Sequence, residues 1–357
     1  METDGTSQAQ EPLGGPTPGR VETPPVQRLV IEAAPPRRRS IFWRIVSIGF
    51  IAFIVIAIVG NLAYLTEGMG PGPVLNEAYI EGKRVDPDRI AVIDLSGPIF
   101  EYGGTYHGPV EVLSEAFRKA AADDRVRTLI LEVNSPGGGV TASDELVRKM
   151  EEFQRGGRKV VVLMKDIAAS GGYYVSAGAD SIIAQPTTVT GSIGVIIASF
   201  NYKGLADWAG VKQVTFKSGA VKDILSPMRD VTEEETKLIQ EIVEAMFRRF
   251  KEVVMRGRKG KMTEADFEQV ADGRILTAEQ AKELHLIDGI GYLGDAIAEA
   301  KRLAGAPQAS VVRYWRKPGL AAMLLAARSE MRLFPWEAEA RERRSWSPFL
   351  YMWLGPQ

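Results

Sequence analysis

The chain has 357 residues, 45% hydrophobic and 25% charged, and a formal net charge of −1, so it carries no global bias toward nucleic acid. It contains no cysteine, which excludes a thiol nucleophile, a Cys-ligated zinc site and any disulfide. Its two histidines and scattered carboxylates have no metal-ligand spacing, so neither a metal nor a cofactor is expected.

Residues 1 to about 40 hold seven of the 20 prolines, mixed with Gly, Gln and Thr, and show no apolar periodicity. Such a segment buries too little apolar surface to offset its ordering entropy, which predicts a disordered tail. From Ile45 to Leu65 the run IVSIGFIAFIVIAIVGNLAYL carries no charge over 21 residues. That is enough to cross a hydrocarbon core of ~30 Å. Arg37, Arg38, Arg39 and Arg44 precede it, and Glu67 follows. The positive-inside rule predicts a cytoplasmic N-terminus, an uncleaved signal anchor and an extracytoplasmic remainder, with Trp43 and Tyr64 at the interfaces.

Residues 68–88 read as a linker with room for a short edge element. A folded domain over 89–304 follows. RIAVIDLSGPI predicts a strand, residues 109–122 an amphipathic helix, VRTLILEVNS a buried strand, 141–155 a helix and KVVVLM a third strand. Strands alternating with helices, and near-continuous Val/Ile/Leu runs, indicate an α/β fold with a largely parallel sheet. TTVTGSIGVIIASF predicts another strand-like run interrupted at Gly191-Ser192. Thr232 and Glu235 have capping-box spacing and open a long helix to about Arg256. A helix over 263–271 completes the pattern. The extension 305–357 predicts a last strand (ASVVRYWRKP), an amphipathic helix (GLAAMLLAARSEMRLFPW) and an extended apolar end, SPFLYMWLGPQ. That end is expected to dock in an active-site groove or be trimmed, or to form an oligomer contact.

Four features could carry chemistry. Ser170 lies at the strand-to-helix turn of KDIAASGGYYVSAGADSII, where free backbone N–H groups favour negative charge. Its paired glycines would let a substrate backbone approach, or merely let a buried helix pack. The turn NSPGGG, Asn134 to Gly139, could be a phosphate loop, an oxyanion hole or a tight turn. A serine nucleophile needs a base, but His107 and His285 both sit among surface-like signals. Lys222, in SGAVKDILSP, has small and apolar neighbours. A lysine serves as a general base only where burial draws its pKa from about 10.4 toward about 7–8. The adjacent Asp223 must then point elsewhere. Ser192, in TGSIG, could hold and orient a neutral lysine amine.

NSPGGG, MKDIAASGGYYVSAGADSIIA, TTVTGSIGVI, SGAVKDILSPMRDVTEEE and ADGRILTAEQAKELHLIDGIG together resemble the signal peptide peptidase A family of serine proteases, from about Ile90 to Ala304. The resemblance implies the α/β core shared with Clp protease and the crotonases. It implies Ser170 as nucleophile, Lys222 as general base and Ser192 as the serine bonded to that lysine. It also implies oxyanion N–H donors from Gly138 and from the backbone at Ser170 and Gly171. Membrane-anchored members in the bacterial inner membrane degrade signal peptides. Short members, with one protease domain per chain, form ring-like oligomers whose serine and lysine come from neighbouring subunits. The long proline-rich tail and His285 depart from the family pattern. The alternatives are a crotonase-like acyl-CoA enzyme, which would need no nucleophilic serine, and a non-catalytic membrane scaffold.

Overall fold

The structure is a computed structural model that describes residues 41–67, 73, 75–101, 108–316 and 350–352. Side chains of the first helix are described over 43–58, and those of 350–352 are not. The tail 1–40, the predicted helix after residue 317 and His107 lie outside the described residues. The chain divides into two units, Met1–Ile54 and Val55–Gln357. Their boundary falls within the first helix, α1 (Ile41–Glu67).

The described α1 side chains are exposed and, apart from Arg44 and Ser47, apolar, with Ile48, Phe50 and Phe53 each more than 60% exposed. Among the described residues no helix is long and apolar enough to cross a membrane. The stretch with described side chains, 43–58, is shorter than the roughly 20 residues a crossing needs.

The second unit is built on a sheet. It comprises β1 (Leu75–Glu81), β2 (Arg89–Ser96), α2 (Pro109–Ala122), β3 (Val126–Ser135), β4 (Gly137–Gly139), α3 (Val140–Arg155), β5 (Lys159–Ala169), α4 (Gly171–Ala177), β6 (Ser181–Ala184) and β7 (Val189–Gly191). After these come α5 (Lys203–Trp208), α6 (Glu233–Gly257), α7 (Glu264–Glu268), β8 (Ile275–Thr277), α8 (Ala278–Glu283), β9 (Gly289–Ile290), α9 (Leu293–Ala304), β10 (Ser310–Arg316) and β11 (Leu350–Met352). The main sheet runs β1-β10-β2-β3-β5-β6-β9, with β10, β2, β3, β5, β6 and β9 parallel and β1 antiparallel at the edge.

The period-2 alternation of strands sorts the core into two layers. Ala91, Ile93, Leu129, Leu131, Val160 and Val162 join the larger cluster with α2 and α3. Ile90, Val92, Ile130, Val161 and Leu163 face α9 through Ala296, Ile297 and Ala300. Both faces are covered, which is why these strands read as unbroken apolar runs.

Three predicted elements differ from the structure. The third strand does not stop at Met164; it continues to Ala169 by changing partners. β6 pairs with Val161–Met164 and β7 with Ile167–Ala169. The strand-like run TTVTGSIGVIIASF yields only the three residues of β7, because Gly191 and Ser192 turn to φ 81° and 50° and end the pairing. The helix predicted over 263–271 shrinks to α7, which a Thr263–Asp266 capping box starts and a turn before Gly273 ends.

Candidate active site

Ser170 stands at the junction of β5 and α4 with φ 53° and ψ −113°, a conformation that costs a non-glycine residue about 1–3 kcal/mol. Its neighbours hold it there from both sides. The Ser170 N–H donates to the Gly191 carbonyl at 2.8 Å, and the Ser170 carbonyl accepts from the Tyr174 N–H at 2.8 Å. The Thr190 hydroxyl donates to the Ala168 carbonyl at 2.6 Å and ties β7 to the same turn. Just upstream, the Asn134 amide donates to Asp166 at 3.1 Å, and its oxygen accepts from the Ile167 N–H at 3.2 Å. Asn134 therefore fixes the bend where β5 changes partners.

Of the two expectations for the paired glycines, Gly172 fits close packing. A Cβ at Gly172 would lie 2.6 Å from the Ser135 carbonyl oxygen, so the backbone that approaches there belongs to the chain itself. The Ser170 N–H, expected among the oxyanion donors, is already engaged by Gly191. Gly171 opens α4, so its N–H has no intrahelical acceptor.

Gly138 sits in β4. A Cβ there would lie 2.1 Å from the Ile99 carbonyl oxygen, which requires glycine. The Gly139 N–H donates to Ile99, and the Gly137 carbonyl accepts from the Ile99 N–H, at 2.8 and 2.9 Å. Backbone groups alternate sides along a strand, so the N–H and carbonyl of Gly138 face the opposite edge. On that edge lies β11, antiparallel, pairing Leu350, Tyr351 and Met352 with Gly139, Gly138 and Gly137. Leu350–Met352 of the apolar C-terminal end thus pairs with the glycine strand.

A cavity of about 350 Å³ opens beside Ser170, lined by Ser192, Ile193, Val195 and Ile196 after β7 and by Val243 and Phe247 of α6. Ser170 and Ser192 are 2% and 8% exposed and share this cavity. Ser192, at φ 50°, donates its N–H to the Arg274 carbonyl at 2.7 Å, which continues the β7–β8 pairing. The cavity wall from α6 went unread in the sequence, where its apolar positions look like ordinary core spacing. A larger cavity, about 440 Å³, lies between α2 and α3, but charges lining it pair locally, as Arg118 with Glu115 and Lys149 with Glu152.

Lys222 is exposed and does not line the Ser170 cavity. It is carried by a segment between β7 and α6 that projects Phe200, Trp208 and Phe216 into solvent at 69%, 85% and 94% exposure. Asp223 does point elsewhere. Its carboxylate accepts from Lys217 at 2.6 Å and from Arg229 at 2.8 and 3.0 Å, and these contacts, Arg229 foremost, hold it well below the usual carboxylate range. Arg229 also donates to Glu235 at 2.8 Å. Glu235 closes the predicted capping box with Thr232, at 3.0 and 3.2 Å. His285 is exposed at φ 59° and does not line the cavity. Among the described residues no cluster of His, Cys, Asp and Glu is placed to hold a metal.

These features define an α/β protein with a strained, buried serine at a strand-to-helix turn beside a glycine strand. The family model described as Peptidase family S49 matches residues 152–307. A protein of Enterococcus faecium assigned as a signal peptide peptidase SppA is 44% identical over 197 residues, 55% of this chain and 57% of that protein. A protein of Methanocaldococcus jannaschii assigned as a protease is 38% identical over 192 residues, 54% of this chain and 61% of that protein. A protein of Synechocystis sp., also assigned as a protease, is 36% identical over 217 residues, 61% of this chain and 75% of that protein. The chain belongs to peptidase family S49, the signal peptide peptidase A family. It spans about 57–61% of the length of the first two of these relatives.

The Glu235 contacts carry a pH signature. Hydrogen bonds from Arg229 and from the Thr232 N–H hold its carboxyl at about 2, below its ordinary 4.5. A folded pKa below the unfolded one stabilises the fold fully above about 4.5, and that contribution fades as pH falls toward about 2. In thermal unfolding, wild type is expected to exceed Glu235→Gln most above pH ~4.5, with the two curves converging toward pH ~2. Parallel curves would contradict this assignment.

Proposed function

We propose that this chain is a membrane-anchored serine endopeptidase in which Ser170 attacks apolar peptides, signal peptides among them, and Lys222 is the general base. The observation that carries the reading is the glycine strand β4, whose free edge takes up an extended segment beside the buried Ser170 turn. Strand addition of this kind gives sequence-tolerant affinity through main-chain hydrogen bonds, as a protease for varied peptides requires. The core is of the type shared by Clp protease and the crotonases.

Lys222 belongs to the cavity of a neighbouring subunit in a homo-oligomeric ring. Its exposure, and that of Phe200, Trp208 and Phe216 on the same segment, support this. Burying each such aromatic contributes about 1.5–3 kcal/mol to association. Entry into the cavity beside Ser192 would also remove the amine from water, which favours its neutral form.

In the reaction, the neutral amine of the partner subunit's Lys222 takes the Ser170 hydroxyl proton as Oγ bonds to the peptide carbonyl carbon. The carbonyl oxygen becomes an oxyanion, held by the N–H groups of Gly138 and Gly171. One such donor contributes about 2.7–4 kcal/mol. The C–N bond breaks as the lysine returns the proton to the leaving amine. Water, deprotonated by the same lysine, then attacks the acyl-serine and releases the acid. Residues 45–65 of α1 anchor the chain in a bacterial inner membrane. Arg37, Arg38, Arg39 and Arg44 mark the cytoplasmic side, residues 1–40 form the tail and 89–304 the protease domain.

A fluorophosphonate is expected to label wild type but not Ser170→Ala, and to label Lys222→Ala far more slowly, with all three proteins folded. Wild-type labelling of Lys222→Ala would remove lysine from the mechanism. A chain ending at residue 349 is expected to show a lower KM for short apolar peptides, because β11 no longer occupies the β4 edge. An unchanged KM would separate that edge from substrate binding.

A further inference from the structure

The turn bearing Lys222 belongs to no regular helix or strand and is held largely by charge. Backbone bonds around it are few: the Lys222 N–H reaches Gly219 at 3.2 Å and the Ile224 N–H reaches Val221 at 3.1 Å. The stronger restraints come from two cations on either side. Lys217 donates to the Ala220 carbonyl and to the Asp223 carboxylate, both at 2.6 Å, and so brackets Lys222 between its two acceptors. Arg229 binds both oxygens of that carboxylate, at 2.8 and 3.0 Å, and also the Asp223 carbonyl at 3.1 Å. Its remaining nitrogen reaches Glu235 in the first turn of α6.

α6 is a 25-residue helix anchored in the core by Phe250, Val253 and Val254, so Arg229 ties the lysine turn to a rigid element of its own chain. A guanidinium can hold three acceptors in one plane, whereas an ammonium cannot reproduce that fork. The charges balance as well. Lys217 and Arg229 face Asp223 and Glu235, two cations against two anions, while nearby Asp230 is taken by Lys203 and Asn201. Without Arg229, Lys217 alone would face the two carboxylates, and the net negative charge left near Lys222 would favour its ammonium form over the amine that catalysis uses.

We propose that Arg229 is the positioning residue for Lys222, fixing its turn to α6 and neutralising the carboxylate next to it. This rests on the reading of Lys222 as the base. The test measures kcat and KM for an apolar peptide across pH in purified full-length oligomer. Arg229→Gln is expected to lower kcat about 10- to 100-fold with KM nearly unchanged, the effect of a misplaced catalytic group. The acid limb of its kcat profile should move to higher pH. Arg229→Gln with Glu235→Gln restores the charge balance and keeps a capping residue, so the limb should return while kcat stays low. Arg229→Lys keeps the charge without the fork and should lower kcat with the limb unmoved.

An unmoved limb in Arg229→Gln, or wild-type kcat in either single variant, would overturn the proposal. Should Arg229→Gln fail to assemble, Arg229→Lys decides by its kcat. Lys222→Ala assayed alongside separates the two levels. Activity in Lys222→Ala would refute the base itself, whereas an inactive Lys222→Ala beside a fully active Arg229→Gln would refute only the positioning role.

Discussion

The site depends on a serine backbone that its own residue type disfavours. Ser170 holds φ 53° because β5 runs five residues past Met164 and lines up Ala169 with Gly191, whose carbonyl captures the Ser170 N–H. The change of partner from β6 to β7 makes that extension possible, and Asn134 and Thr190 brace it. With the Ser170 N–H spent on this restraint, donors for a developing negative charge must come from elsewhere. On the proposed reading these are Gly171, at the start of a helix, and Gly138, where Ile99 leaves no room for a side chain.

The second half of the chemistry is arranged by charge. The fold buries Ser170 and Ser192 beside a cavity walled by α6, yet leaves Lys222 on an exposed segment with exposed aromatics. On the proposed reading, a single chain therefore presents a nucleophile without a base and a base without a pocket. The Lys217–Asp223–Arg229–Glu235 cluster makes sense in that setting. It keeps an otherwise weakly packed turn in shape, and it cancels the one carboxylate that sequence places beside the lysine.

Sequence periodicity located most of the scaffold. α2 matches its predicted bounds, Pro109–Ala122, and the Thr232–Glu235 capping box forms as its spacing implied, because both signals are local. What escaped was set by contacts between distant segments. The interruption of TTVTGSIGVIIASF at Gly191-Ser192 was legible, but not that pairing fails to resume beyond it as a strand, nor that β8 pairs with β7. Gly172 read equally as a door for substrate or as room for packing, and it is clearance for Ser135. Ser170 and Lys222 could be singled out by residue type, but their separation within one chain is a property of the fold. The double use of Glu235, as cap and as ion-pair partner, was half visible for the same reason.

The central claim is that a complete site is assembled from two subunits. The most direct measurement co-assembles Ser170→Ala and Lys222→Ala chains, each inactive alone, and assays the mixed oligomers for peptide cleavage. Activity should reappear, because some interfaces then pair an intact Ser170 with the partner subunit's Lys222. Mixed oligomers of normal size that remain inactive would contradict the account.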